Sequence, residues 1–173
     1  MPTIFSHAVF ACALGRTLQP ANSTARFWIL SAACAVLPDL DVISFFLGVS
    51  YNSMLGHRGI THSIFFAILV GVFVSFLFPK EGTSRWLVAL YFAAVTVSHP
   101  LLDMLTNGGL GVALLAPFTN ERFFSPWRPI QVSPIGVGFF SERGLVVILS
   151  EFVWIWLPSF FIVAISWLVR RDR

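Results

Sequence analysis

The chain has 173 residues, of which 57% are hydrophobic and only 11% charged, with a formal net charge of +3. Soluble domains average about 45–50% apolar and roughly 25% charged residues, so a mean hydropathy of +0.82 excludes an ordinary soluble globule and points to an integral membrane protein. The basic residues are scattered and form no basic face, which argues against nucleic acid as a partner.

The length suits a single domain, residues 1–173. Pro2 to Gly15 is the first apolar stretch, with His7 near its start. At about 1.5 Å rise per residue it is short for a full crossing, so it reads as a short span or an interfacial helix. Its first positive charge, Arg16, comes after the apolar stretch. A cleavable signal carries positive charge before it, so this stretch is expected to stay. Arg16 to Arg26 is a loop through Gln19-Pro20-Ala21-Asn22-Ser23, with Ser23 or Thr24 as a helix cap.

The second segment runs from Phe27 to Phe46 and is interrupted by Pro38-Asp39-Leu40-Asp41. A charge at the bilayer centre costs at least about 2.5–3.5 kcal/mol on insertion scales. Two carboxylates two positions apart also repel each other, so a divalent cation is the simplest compensating partner. Alternatively the helix ends at Val36 and the aspartates lie at the water interface, where metal ligands also occur.

Gly48 to Gly59 is a polar loop, and His57-Arg58-Gly59-Ile60-Thr61-His62 carries the chain into the third segment, Ser63 to Phe78. Gly59 allows a sharp turn there. Pro79-Lys80-Glu81-Gly82 stops that segment, and Trp86 to about Leu105 forms the fourth, with His99, Pro100 and Asp103 in its last turns.

Thr106 to Glu142 is long, rich in Gly and Pro, and aromatic through Phe118, Phe123, Phe124, Trp127, Phe139 and Phe140. Such a loop is expected to be a lid or an interfacial aromatic belt. Gly144 to Val169 is the fifth and longest segment, followed by Arg170-Arg171-Asp172-Arg173. Cys12 and Cys34 each sit in an apolar run and read as small hydrophobes. The expected fold is all-α: an integral membrane helical bundle with about five hydrophobic segments and a long aromatic loop.

If all five segments cross, Arg170, Arg171 and Arg173 favour a cytoplasmic C-terminus. The loops bearing Arg16, Arg26, Lys80 and Arg85 then lie on the same side. The opposite, outer face receives His7, Asp39, Asp41, His57, His62, His99 and Asp103. His99 and Asp103 are spaced i, i+4 and share a helix face. Imidazole with carboxylate suits zinc, and also manganese or iron. These candidate ligands exceed the four of one structural zinc, so two or more ions are expected. Paired metals activate water and clamp the oxygens of a displacement at phosphorus. Arg58 is placed to bind a phosphate bidentately, and Asp41 is the second candidate for a direct catalytic role.

Four stretches carry a resemblance: Met1-Pro2-Thr3-x-x-x-His7, Leu37-Pro38-Asp39-Leu40-Asp41, Gly56-His57-Arg58-Gly59-Ile60-Thr61-His62-Ser63 and Ser98-His99-Pro100-Leu101-Leu102-Asp103. They resemble the YdjM family of bacterial inner-membrane proteins, and Glu121-Arg122-Phe123-Phe124-x-Pro126-Trp127 resembles its YbcI branch. The His-x-x-x-Asp pair is also similar to one in the all-α zinc-dependent phospholipase C and P1 nuclease group, whose additional downstream histidines this chain lacks. The resemblance implies a metal-dependent hydrolase in the bacterial inner membrane. The expected substrate is a lipid or lipid-linked phosphoester reached from the bilayer. A metal transporter or sensor, or a metal-stabilised structural membrane protein, are the other readings.

Overall fold

A computed structural model describes residues 1–18, 24–78 and 84–171, with backbone only at Arg170. The expected loop and cap at Gln19–Ser23, the stop at Pro79–Gly82 and the end at Asp172–Arg173 lie outside the described residues.

Helix α1 (Ile4–Leu18) starts directly after Thr3, whose carbonyl accepts the N–H of Ser6 at 3.0 Å and of His7 at 3.3 Å. Helix α2 (Ala25–Val36) follows Thr24, whose hydroxyl makes no cap bond. The α-pattern stops at Val36, and a 3-10 turn, Leu37–Val42, takes over with Pro38 in its first positions. Proline lacks an N–H and is tolerated where a helical start has no partner for one. The short helix α3 (Ile43–Phe46) continues the run, so Ala25–Phe46 remains a 22-residue apolar helix long enough to cross. Both readings of this segment therefore hold in part: the α-helix ends at Val36, yet the helical rod continues past the aspartates.

Ser63 caps α4 (Ile64–Ser75), its hydroxyl accepting the Phe66 N–H at 3.0 Å. Helix α5 is the 20-residue Arg85–Met104. The last rod, Glu142–Val169, is a 28-residue apolar helix made of α6 (Glu142–Glu151), a π-turn (Phe152–Trp156) and α7 (Leu157–Arg171). Among the described residues there are no strands, only isolated bridges at Thr106–Ile130 and Val112–Phe123. The protein is the all-helical membrane bundle expected from hydropathy, with its helices where the apolar segments lie.

Helices α4 and α5 approach closely because Gly71 has no side chain. A Cβ there would strike the Ala89 carbonyl oxygen, and small residues at such crossings are what membrane helices use in place of a hydrophobic drive. The core joins Ala11, Phe27, Cys34, Ala35, Val70, Val74, Phe92 and Val95. Large apolar side chains such as Phe73 (67% exposed) and Phe161 (65%) face outward, as lipid contact requires. The buried stripe of α5 changes character along its length. Phe92 and Val95 belong to the apolar core, and His99 and Asp103, one and two turns further on, are equally buried. That change places the polar site at one end of the bundle.

The long loop is packed rather than loose. Thr106, Val112, Ala113, Ala116 and Ile130 are buried, and the Ala113 N–H donates to the Arg58 carbonyl at 3.0 Å. Phe118 and Phe140, at 83% and 86% exposed, point outward with Trp127.

Candidate metal centre

Four pieces of chain supply the site: the first turns of α1, the 3-10 turn after α2, the His57–His62 segment and the end of α5. They bring the expected candidates to one place, where all but His7 fall into two groups with different chemistry; His7 lies outside both, beside the first. Asp39, His62, His99 and Asp103 form one buried set whose donor atoms lie within 4.8 Å of one another, and Asp41, His57 and His62 form a second.

The second set is internally satisfied. Asp41 Oδ1 lies 2.6 Å from His57 Nδ1. Its Oδ2 accepts the Thr61 hydroxyl at 2.6 Å and the Arg58 N–H at 3.0 Å, and lies 3.0 Å from His62 Nδ1. A carboxylate that receives so many donors is an orienting group. In this arrangement Asp41 fixes the rings of His57 and His62, as carboxylates beside metal-bound histidines commonly do.

The first set is the opposite. Both carboxylate oxygens of Asp39, both of Asp103 and both ring nitrogens of His7 are buried without a hydrogen-bond partner. The Nδ1 of His99 lies 2.7 Å from the Ala35 carbonyl. A carbonyl only accepts, so that nitrogen carries the proton and Nε2 is left with a lone pair. That Nε2 lies 3.2 Å from Asp39 Oδ1 and 3.1 Å from His62 Nε2. His62 Nε2 is 3.7 Å from Asp39 Oδ1 and 3.6 Å from Asp103 Oδ2. His7 stacks on His99 at 3.7 Å between ring centres, with its Nε2 3.6 Å from Asp103 Oδ1.

Buried acceptors without donors cost free energy, and a cation among them removes that cost. The donor set is imidazole and carboxylate, which suits zinc, manganese or iron. The residues present therefore fit a divalent metal.

Without a metal, a proton can bridge the facing Nε2 atoms. Burial opposes charge on His62, but the carboxylates of Asp39, Asp41 and Asp103 outweigh it and lift its pKa to about 9.

Arg58 differs from the expected phosphate clamp. It is fully buried. Its Nε sits 2.9 Å from Asp103 Oδ2, Nη1 donates to the Gly108 carbonyl at 3.0 Å and Nη2 to the Thr106 hydroxyl at 3.0 Å. Thr106 in turn donates to the Asp103 carbonyl at 2.7 Å. The guanidinium thus braces Asp103 from inside.

The sharp turn also falls on Arg58 and not on Gly59. Arg58 has φ +60°, a left-handed conformation worth roughly 1–3 kcal/mol of strain in a non-glycine residue, and its N–H bond to Asp41 helps hold it. Gly59 is needed for space, since a Cβ there would collide with the Met54 carbonyl oxygen.

The chain matches the model of the YdjM inner membrane proteins over residues 1–172. It is 39% identical over 176 residues to the inner membrane protein YbcI of Escherichia coli K12, covering 99% of this chain and 100% of that one. The chain belongs to the YdjM family. No solved structure matches it.

In this YdjM-family chain, sequence reasoning did not single out several residues that shape the site. Arg122 donates to the carbonyls of His57 (3.1 Å), Tyr51 (2.8 Å) and Ser53 (3.1 Å), tying the long loop to the histidine segment, and partial burial lowers its pKa. Its signal was present in the Glu121-Arg122-Phe123-Phe124 stretch. Thr61 lay in the stretch of residues 56–63 without being singled out, and Thr106 gave no signal, because only the fold brings them to Asp41 and Arg58.

Proposed function

We propose that this protein is a membrane-bound metal-dependent hydrolase acting on a phosphoester of a lipid or lipid-linked substrate. Asp39, His62, His99 and Asp103 would hold the metal, zinc by preference, with His7 at its edge. The observation that carries this reading is the convergence of the buried carboxylates of Asp39 and Asp103, whose oxygens lack aligned hydrogen bonds, on the facing Nε2 atoms of His62 and His99. When bound, such a metal lowers the pKa of a water and polarises a phosphoryl oxygen. Asp41 orients His57 and His62, and Arg58 holds Asp103 in place. His57, with Nδ1 on Asp41, is available to move a proton at the edge of the site. Asp39, at 7% exposure, is the most open of the four ligands, so substrate would approach past the Leu37–Val42 turn. In the orientation favoured by the basic residues, the C-terminus is cytoplasmic and the centre faces the periplasm.

The test is metal content of detergent-purified protein beside hydrolysis of phospholipids in mixed micelles. The expected result is at least one metal per chain and phosphoester cleavage, both lost in His99→Ala and Asp103→Ala. Metal content unchanged in those variants would overturn the site.

The near-complete burial of every ligand favours a second reading, a metal that holds the bundle together. Chelation that lowers Tm while no phosphoester is cleaved would select it.

A further inference from the structure

We propose that Glu151 is the positioning residue for His7, the imidazole at the edge of the metal centre. This inference rests on the metal-centre reading above. Glu151 is the last residue of α6 and is fully buried, in a rod that otherwise exposes most of its apolar surface. A carboxylate inside an apolar span is costly, and this one is not among the candidate ligand groups. Its oxygens are instead used by the start of α1. Oε1 accepts the Thr3 N–H at 2.6 Å, and Oε2 accepts the hydroxyls of Thr3 at 2.6 Å and Ser6 at 2.5 Å. Trp156, in the π-turn that follows Glu151, donates its Nε1–H to the Ser6 hydroxyl at 2.8 Å. The last rod thereby grips α1 at its first turn, where unpaired N–H groups and the positive end of the helix dipole favour an acidic partner.

His7 occupies the same turn. Thr3, Ser6 and His7 are spaced i, i+3, i+4 and share a face. His62 and His99 have their Nδ1 atoms placed by Asp41 and by the Ala35 carbonyl. His7 has no comparable bond at either nitrogen. The position of α1, the stack on His99 and the 3.6 Å approach of Nε2 to Asp103 Oδ1 set where its ring lies. Glu151 therefore does through the backbone what Asp41 does by direct contact.

The test uses full-length protein in detergent, titrated with Co(II) while the d–d absorption is recorded, for wild type, Glu151→Ala, Glu151→Gln, Thr3→Val, His7→Ala and the Glu151→Ala/His7→Ala pair. Loss of an orienting partner typically weakens metal binding roughly 10–100-fold. Glu151→Ala is expected to weaken Co(II) binding in that range and to shift the spectrum to that of His7→Ala, with the pair no worse than His7→Ala alone. Glu151→Gln keeps an acceptor oxygen for Thr3 and is expected to restore the wild-type spectrum. Thr3→Val removes one hydroxyl and should fall between, which keeps the test open if Glu151→Ala does not fold. Additive losses in the pair, or a wild-type spectrum in Glu151→Ala and Thr3→Val, would overturn the role of Glu151 and leave the centre standing. Wild-type protein that takes up no Co(II) would overturn the centre and this inference with it.

Discussion

Asp39 and Asp41 sit two residues apart on one 3-10 turn, yet they face different surroundings. Asp41 receives donors from Thr61, Arg58 and the histidines, whereas neither oxygen of Asp39 has a hydrogen-bond partner. A similar contrast separates the two terminal nitrogens of Arg122, which donate to carbonyls, from the carboxylate of Asp103, which faces a guanidinium and two imidazoles without an aligned hydrogen bond. A saturated polar group holds geometry. A buried carboxylate without aligned donors leaves its desolvation uncompensated, and a cation would offset that cost. By that rule the proposed metal would lie on the Asp39, His62, His99 and Asp103 side, with the Asp41–His57 side supporting it.

The largest effects should come from the unsaturated set. His99→Ala or Asp103→Ala is expected to abolish tight metal binding, read as metal per chain after desalting. Retention of metal by both would break the distinction. Arg58→Met should come next, because it leaves Asp103 buried without its cation. Removing one partner of a buried pair costs about 3–5 kcal/mol, measured as loss of stability in the metal-free protein. Metal-loaded protein should suffer less, since the metal also compensates Asp103. Asp41→Ala belongs to the saturated set. It should weaken metal binding roughly 10–100-fold with stoichiometry unchanged, by competition with a chromophoric chelator.

The pH dependence follows from His62. Its folded pKa of about 9 lies above its ordinary 6.5, so its charged form stabilises the metal-free fold. That contribution is fully present below pH 6.5 and is lost as pH rises through about 9. Metal-free protein should therefore lose Tm across that window, while metal-loaded protein should not, because the metal replaces the proton. Equal pH profiles for the two forms would count against His62 as a ligand. The smallest effect is expected at Glu121, which is exposed and whose recorded bond uses only its backbone N–H, to the Thr119 hydroxyl. Glu121→Ala should leave metal content and stability within about 0.5 kcal/mol of wild type, in contrast to its neighbour Arg122.

Much of this was legible in the chain. Helix positions followed from charge-free runs, because a rod in lipid must be apolar on nearly all sides and that requirement is written residue by residue. His99 with Asp103 on one face is a local fact of helix geometry, whereas the cap expected at Thr24 makes no bond and Ser63 caps α4 instead. Glu151 was visible as a lone acid in the last apolar run, but its partner was not, since Thr3 is 148 positions away.

The sequence by itself determined the membrane bundle, the end of it that carries polar chemistry and the residues available there. Hydropathy and helical period are local properties, and they suffice for these. Which aspartate has donors and which has none, that Arg58 turns inward to Asp103, and that Glu151 holds Thr3 and Ser6 at the start of α1 were decided only by the tertiary structure. Hydrogen-bond saturation depends on atoms brought together from distant parts of the chain, and no spacing along the sequence records it.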